Sequence, residues 1–271
     1  IEKNNKIAIV LPGPPHEMKH IYGTQVKPYL LKKSEEVIFY KVLRFFGIGE
    51  SALEAEIEDL ITYQTDPTLA PYAKKGGVSL RIASKKRSLT EAEKAVDEMI
   101  DKVKGKLDRY LYSVDNEELV DVVARKLIER NISIATAESC TGGGLASALT
   151  DIPGISQVFH SGYVTYSNEA KMDTLGVKEE TLHTYGAVSE ETAVEMAEGL
   201  FKKTKSDLCI AITGIAGPGG GTATKPVGLT YIALKYKDKT ICKEYKLAFQ
   251  SREQNRNYSI LLMLHLINKN I

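Results

Sequence analysis

The chain has 271 residues, of which 43% are hydrophobic, and its formal net charge is +1. This length predicts about two domains, and the near balance of charge argues against a protein that binds nucleic acid through a broad basic surface. The three cysteines are far apart and odd in number, so we expect reduced thiols and a cytoplasmic location. No apolar run approaches the roughly 18 residues of a membrane-spanning helix, so no membrane is expected among the partners.

Residues 1–33 are predicted to contain a short strand, a proline-rich turn and a helix. The strand covers residues 7–11, and the helix begins at His16 and ends near Tyr22. The sequence HEMKH at residues 16–20 matches the H-E-x-x-H pattern of zinc peptidases, which needs a third metal ligand. No third ligand is apparent, and we interpret the motif as a solvated helix start, with no metal. The interior-type strand so close to the first residue suggests a piece of a longer protein.

Residues 34–114 are predicted to form a small α+β module. The predicted elements, in chain order, are a strand at 36–46, a helix at 51–61, a loop at 67–71, a strand at 78–83, a helix at 90–103 and a strand at 110–113. Ser51, followed three residues later by Glu54, is typical of a helix capping box. The basic cluster at residues 85–87 is interpreted as a solvated turn rather than a nucleic-acid contact.

Helices and apolar strands alternate from residue 115 to the end of the sequence. The predicted elements are a helix at 116–130, a strand that begins at 134, a helix that follows Gly142 and ends near 151, a strand at 158–166, a helix at 168–175, a helix at 189–203, strands at 208–213, 228–236 and 243–249, and a helix at 252–268. This alternation predicts an α/β fold, in which residues 115–271 form a three-layer α/β/α domain with a largely parallel sheet.

The stretch IATAESCTGGG at residues 134–144 is typical of a buried strand, a tight turn and a helix start. Such a turn leaves backbone N–H groups unpaired at the beginning of the helix. A hydroxyl in the turn can attack a carbonyl carbon, and the free N–H groups can hold the resulting oxyanion. Ser139 is the preferred nucleophile, and Cys140 is its rival because thiolates are intrinsically better nucleophiles.

Four motifs in the second half of the chain resemble the CinA family of competence/damage-inducible proteins. They are TAESCTGG at 136–143, GYVTYSNEAK at 162–171, GAVSEETA at 186–193, and TGIAGPGGG with KPVG within 213–228. The resemblance implies that residues 115–271 form the family's nicotinamide mononucleotide (NMN) amidohydrolase domain, which releases ammonia and nicotinate mononucleotide. It also implies that residues 34–114 are the KH-type module, and that residues 1–33 are the C-terminal remnant of the molybdopterin-binding-like domain.

The family is described as a Ser/Lys hydrolase that needs neither a metal nor a cofactor. By this resemblance, Ser139 is the nucleophile and Lys171 is the base. A lysine acts as a base only when it is neutral, and free lysine has a pKa near ~10.4. Lys171 is therefore expected to be desolvated or to lie beside another cation.

Ten further residues complete the predicted site. Tyr166 and Thr213 lie at predicted strand ends, where each offers a hydroxyl for proton transfer or for holding the amide. The remaining candidates are expected to contact the substrate: the turn residues Cys140, Thr141, Gly142 and Gly143 through backbone N–H groups, Gly214 and Gly217 through close backbone approach, and Arg252 and Arg256 through the substrate phosphate.

Two other functions stay open from the sequence. One is a competence-related binding or scaffold module with a degenerate deamidase domain, and the other is an ADP-ribose pyrophosphatase activity that belongs to the missing N-terminal domain. The middle module lacks a GxxG loop, so nucleic acid is not an expected partner. The loop at residues 214–221 lacks the ending of a P-loop, which argues against ATP hydrolysis. The expected partners are the nucleotide substrate and a second copy of the chain in a homodimer.

Overall fold

The computed structural model describes residues 1–4, 6–74, 76–249 and 251–271. The chain divides into two compact units, which are described separately. The first unit comprises Ile1–Leu43, Ile48–Ala73 and Val78–Leu111. The second unit comprises Arg44–Gly47, Lys74–Gly77 and Tyr112–Ile271. None of the described helices combines the length and the apolar character that a bilayer crossing requires.

The N-terminal part of the chain contains short opening elements and a four-stranded sheet of order β4-β5-β3-β6. Its elements are β1 Glu2–Lys3, β2 Lys6–Ile7, α1 Pro15–Ile21, a π-helical turn Tyr22–Val26, α2 Lys27–Lys33, β3 Val37–Phe45, α3 Glu50–Glu56, α4 Glu58–Thr62, β4 Thr68–Lys74, β5 Gly77–Lys86, α5 Leu89–Leu107 and β6 Leu111–Ser113. Helix α5 buries a stripe at helical spacing that includes Val96, Ile100 and Val103, as its amphipathic sequence predicts.

Three predictions for this part of the chain are wrong in detail. The strand predicted at 7–11 is a two-residue strand, Lys6–Ile7, which pairs with β1. Ser51 is not a helix cap, because α3 begins one residue earlier and Gly49 precedes it. The helix predicted to reach residue 61 is interrupted at Ile57, whose φ of −118° and ψ of 22° leave the helical region.

The segment predicted as a loop at residues 67–71 belongs mostly to a strand. Strand β4 begins at Thr68 and contains Pro71. It lies at the edge of the sheet, where a proline without an N–H group is tolerated. The basic cluster that follows is partly paired, since Lys86 forms an ion pair of 2.7 Å with Asp66.

The second unit contains a five-stranded sheet of order β11-β10-β9-β7-β8. Its elements are α6 Leu119–Glu129, β7 Ile134–Glu138, α7 Gly144–Thr150, a 3-10 turn Ile155–Gln157, β8 Phe159–Val164, α8 Asn168–Leu175, α9 Glu179–Tyr185, α10 Glu190–Thr204, β9 Leu208–Gly214, β10 Leu229–Tyr236, β11 Lys239–Lys246 and α11 Arg252–Asn270. Strand β7 runs parallel to β8 and β9, and β10 runs antiparallel to β9 and β11. All strands except β10 therefore point the same way, and the predicted α/β class is confirmed.

Both faces of the central strands β7 and β9 are buried. On one face, Ile134 and Ile212 join an apolar cluster with residues of α6, α7 and α11. On the other face, Ala135 and Ala137 join a second cluster with residues of α8 and α10. Successive side chains of a strand point to opposite faces, so continuous apolar runs suit strands that are covered twice. The result is the three-layer arrangement that the sequence predicted.

The sheet brings three strand ends to one edge. In the registers of β7, Glu138 lies opposite Val164 of β8 and Ile212 of β9. Because these strands are parallel, the loops that follow them leave the sheet on the same side, which is where open α/β sheets place their ligands.

Candidate active site

Ser139 and Lys171 come together at this edge of the sheet. Ser139 follows β7 directly, and its backbone N–H donates to the Ile212 carbonyl at 3.1 Å. Lys171 lies in the second turn of α8, whose start is capped by Ser167. The Lys171 Nζ atom is 3.2 Å from the Ser139 Oγ atom. The two side chains that the sequence proposed as base and nucleophile are thus within hydrogen-bonding distance.

The environment of Lys171 favours a neutral amine. The side chain is 1% exposed, and burial lowers the pKa of Lys171 below its usual range. Besides Ser139 Oγ, its Nζ lies within hydrogen-bonding distance of the backbone carbonyls of Thr165 at 3.0 Å, Tyr166 at 3.2 Å and Ser167 at 3.4 Å. Among the described residues no carboxylate pairs with it. A neutral amine can donate its two N–H groups to two of these three carbonyls and direct its lone pair at the serine proton.

The turn after Ser139 presents backbone donors. Gly142 and Gly143 have φ values of +62° and +86°, a conformation that glycine adopts without strain. The amides of Cys140, Thr141 and Gly143 make no hydrogen bond to any described residue. Such unpaired amides are the usual donors to an oxyanion.

The amide of Gly142 is not one of these donors, which corrects its predicted role. Its N–H donates to the Ser139 carbonyl at 3.1 Å and so closes the turn. The requirement for glycine at position 142 comes from its positive φ of +62°.

Cys140 is unsuited to act as the rival nucleophile. Its side chain is 7% exposed and packs in the apolar cluster that contains Leu145. Burial raises the pKa of the Cys140 thiol to about 11. The thiol therefore stays protonated near neutral pH, and the reactive thiolate is scarce.

Tyr166 lies at the rim of the site. Its side chain is 61% exposed, and its hydroxyl accepts a hydrogen bond from Arg252 Nη2 at 3.1 Å. Arg252 Nη1 donates to the Gly217 carbonyl at 2.9 Å, which ties the glycine-rich loop to the same guanidinium. The Tyr166 hydroxyl is thus hydrogen-bonded to Arg252, and the Tyr166 backbone carbonyl lies within hydrogen-bonding distance of Lys171.

Arg256, one turn after Arg252 on α11, contacts the nucleophile turn. Its Nη2 donates to the Thr141 carbonyl at 2.8 Å. A guanidinium has five N–H donors, so Arg252 and Arg256 each keep donors for an anion after making these contacts.

Thr213 and Gly214 lie at the same edge with roles in packing. The Thr213 hydroxyl donates to the Ala187 carbonyl at 2.7 Å and is 1% exposed. A Cβ at Gly214 would meet Leu229 O at 2.9 Å, so the close approach of β10 requires glycine there. Gly214 is therefore needed for packing rather than for ligand approach, and proton transfer by Thr213 stays a prediction.

Sequence reasoning missed three polar residues of this region. Glu138 is fully buried and accepts from two amides of α7. Lys225 donates to the carbonyls of Tyr185 at 2.5 Å and Val188 at 2.8 Å. Asn255 donates to the Ala216 carbonyl at 3.0 Å. Glu138 lies within the AESC motif and Lys225 within the KPVG motif, so these motifs were the sequence feature that could have pointed to both residues.

The H-E-x-x-H pattern lies on an exposed helix. His16 and His20 lie on α1 and are exposed. Within the described ranges, no group of three or more His, Cys, Asp or Glu side chains is placed to hold a metal ion.

Comparison with known families places this chain among described proteins. A model of the CinA C-terminal domain matches residues 116–271. The chain belongs to the CinA family. A second model, the KH domain of damage-inducible protein CinA, matches residues 40–113.

Two relatives named as competence-damage inducible proteins illustrate the likeness to CinA sequences. The protein from Acetivibrio thermocellus is 49% identical over 269 residues, which cover 99% of this chain and 65% of that protein. The protein from Clostridium beijerinckii is 52% identical over 239 residues, which cover 88% of this chain and 58% of that protein. The chain thus spans less than two thirds of the length of these curated relatives.

Solved CinA structures resemble about half of the chain. The competence/damage-inducible protein from Agrobacterium tumefaciens is 42% identical with a TM-score of 0.53, covering 56% of this chain and 94% of that one. The CinA superfamily protein from Escherichia coli is 34% identical with a TM-score of 0.55, covering 56% of this chain and 88% of that one.

Proposed function

We propose that this CinA chain hydrolyses the amide of NMN to nicotinate mononucleotide and ammonia. The observation that carries the proposal is the 3.2 Å contact between the Ser139 hydroxyl and the Lys171 amine, which is buried and has no carboxylate partner among the described residues. Such a pair is suited to acyl transfer because the amine takes the proton that makes the alcohol nucleophilic.

The proposed reaction has two halves. Ser139 Oγ attacks the amide carbon while Lys171 takes the serine proton, and the oxyanion accepts from the amides of Cys140, Thr141 and Gly143. Lys171 returns the proton to the amide nitrogen, the C–N bond breaks, and ammonia leaves an ester on Ser139. Water then attacks the ester while Lys171 takes a water proton, and Lys171 returns this proton to Ser139 Oγ as the C–O bond breaks and the acid is freed.

The substrate class follows from the CinA resemblance and from the cations around the site. A mononucleotide carries a phosphate, and guanidinium groups bind phosphate oxygens well. Arg252 and Arg256 border the nucleophile turn and the glycine-rich loop, and both keep N–H donors. These features support a nucleotide amide over a simple amide as the substrate.

The test is an assay of the purified chain with NMN. The account expects equal amounts of ammonia and nicotinate mononucleotide, with the same rate in the presence of a metal chelator. No product from NMN would remove the proposed function.

The value of kcat/KM for NMN is expected to rise with pH on the acidic limb of the profile, because the Lys171 amine loses its proton there. The amine acts only after it loses its proton, and burial lowers its pKa, so the limb has its midpoint below the usual ~10.4. The free energy of unfolding is expected to rise with pH as well. The pKa of Lys171 is lower in the folded state than in the unfolded state, so between these two pKa values the unfolded state binds the proton more tightly. The contribution of Lys171 to stability therefore grows as pH rises through this range. Profiles of kcat/KM against pH measure the limb, and a rate that falls as pH rises through this range contradicts it.

Replacing the rival nucleophile is expected to leave the reaction largely intact. In Cys140→Ala the turn backbone is unchanged, and the lost sulfur contacts lower stability by about 1 kcal/mol. Ammonia release and denaturant unfolding measure both effects. Loss of turnover in a folded Cys140→Ala protein would point to the thiol as nucleophile.

A further inference from the structure

A buried carboxylate lies beside the reacting pair, and the steps above do not use it. Glu138, the last residue of β7, is 0% exposed. Its Oε2 accepts from the Leu145 N–H at 3.1 Å, and its Oε1 accepts from the Ala146 N–H at 2.9 Å. No basic side chain of the described residues forms an ion pair with it. Burial of a charge is unfavourable unless hydrogen bonds compensate, and here the amides at the positive end of α7 do so.

These two bonds close a loop around the nucleophile turn. Residues 139–144 lie between Glu138 and its amide partners, so the position of Ser139 is set from both ends of the loop. The backbone of Glu138 also reaches the base, because its carbonyl accepts from the Thr165 N–H at 2.9 Å. The Thr165 carbonyl in turn accepts from Lys171 Nζ at 3.0 Å. One residue therefore connects the nucleophile turn, α7 and the segment that holds the base.

The Glu138 carboxylate also determines which backbone amides near Ser139 remain available to an anion. The first amides of a helix have no intrahelical partner and attract anions. In α7 the amides of Leu145 and Ala146 are already bound to Glu138. A second anion at the helix start would meet a negative charge, so an oxyanion is directed to the unpaired amides of the turn.

We propose that Glu138 is a positioning residue that holds Ser139 and the oxyanion-binding amides in register with Lys171. This inference rests on the proposed amide hydrolysis, yet it concerns the reactivity of Ser139 and so has a readout that needs no NMN. In Glu138→Gln, one carboxylate oxygen becomes an NH2 group that faces a backbone N–H, so one of the two bonds is lost and the turn shifts.

The experiment measures the labelling rate of Ser139 by a fluorophosphonate probe. In this reaction Ser139 Oγ bonds to phosphorus, fluoride leaves, and the serine proton passes to Lys171. The labelling rate of Glu138→Gln and its kcat for NMN are both expected to fall about 10- to 100-fold, as small misplacements of reacting groups do. KM for NMN stays near the wild-type value. The matched control is Asp207→Asn, since Asp207 is a carboxylate that accepts from Ser133 N–H at 2.9 Å just before the start of β7.

The outcomes separate the two proposals. A wild-type chain that is labelled but releases no ammonia removes NMN hydrolysis, and the labelling rates still decide the role of Glu138. A folded Glu138→Gln protein that is labelled at the wild-type rate overturns the role. If Glu138→Gln does not fold, amide hydrogen exchange of the wild-type chain decides. Protected Leu145 and Ala146 amides support the positioning bonds, and rapid exchange at both overturns them.

Discussion

Ser139→Ala is expected to lower kcat/KM for NMN by at least about 10⁴-fold, because removal of a nucleophile leaves only binding and oxyanion stabilisation. The substitution deletes one oxygen and leaves the backbone N–H free to keep its 3.1 Å bond to the Ile212 carbonyl. Stability is therefore expected to change little. Initial rates of ammonia release over a range of NMN concentrations give kcat/KM, and thermal unfolding gives the stability.

Ser147→Ala is the matched control for this variant. Ser147 lies on the next helix, α7, is exposed, and loses the same single oxygen. Its activity should equal that of the wild type. If Ser139→Ala retained a tenth of the wild-type rate, a covalent route through this serine could not stand.

Lys171→Met is expected to lower kcat by about 10³-fold, in the middle of the range for loss of a general base. Methionine has a similar length and no charge, so the 1% exposed site can accept it. Methionine also removes the hydrogen bonds to the Thr165 and Tyr166 carbonyls, so a modest loss of stability is expected. The acidic limb of the pH profile should also disappear, since the group that titrates is gone.

The matched control for the lysine is Lys178→Met. The Lys178 side chain is 75% exposed and approaches Glu195 at 3.7 Å, a pair that contributes little to stability. Its kinetics should match the wild type. A Lys171→Met protein that is folded and fully active would show that the close approach to Ser139 has no catalytic meaning.

The frame of the second unit could be predicted because its signals are local. The run at Leu208–Gly214 is buried at nearly every position, and its continuous apolar sequence predicted this strand. Helix α8 and its glycine stop were likewise predicted from the chain itself. Helix α9 was missed, because Glu179–Tyr185 buries only Thr181 and Leu182 and so lacks an apolar stripe.

The details of the site depend on partners that are distant in sequence. The family motifs indicate Ser139 and Lys171 as candidates. The parallel arrangement of β7 and β8 places the segments that follow these strands at one edge of the sheet. The hydrogen-bond partner of a hydroxyl could not be predicted in the same way. The Tyr166 hydroxyl bonds to Arg252, which is 86 residues away in sequence, and the Thr213 hydroxyl bonds to Ala187, which is 26 residues away. No local pattern encodes such pairs. Glu138 was overlooked for the opposite reason, because an acidic residue at a strand end is usually solvated.

The most direct measurement is mass spectrometry of the wild-type protein after incubation with NMN and an acid quench. The peptide that carries residues 139 and 140 is fragmented to locate any adduct. The account predicts a nicotinoyl nucleotide ester on the Ser139 oxygen, and no adduct in Lys171→Met. An adduct on Cys140, or an equal yield of the Ser139 ester without the lysine, would contradict a serine activated by a buried neutral amine.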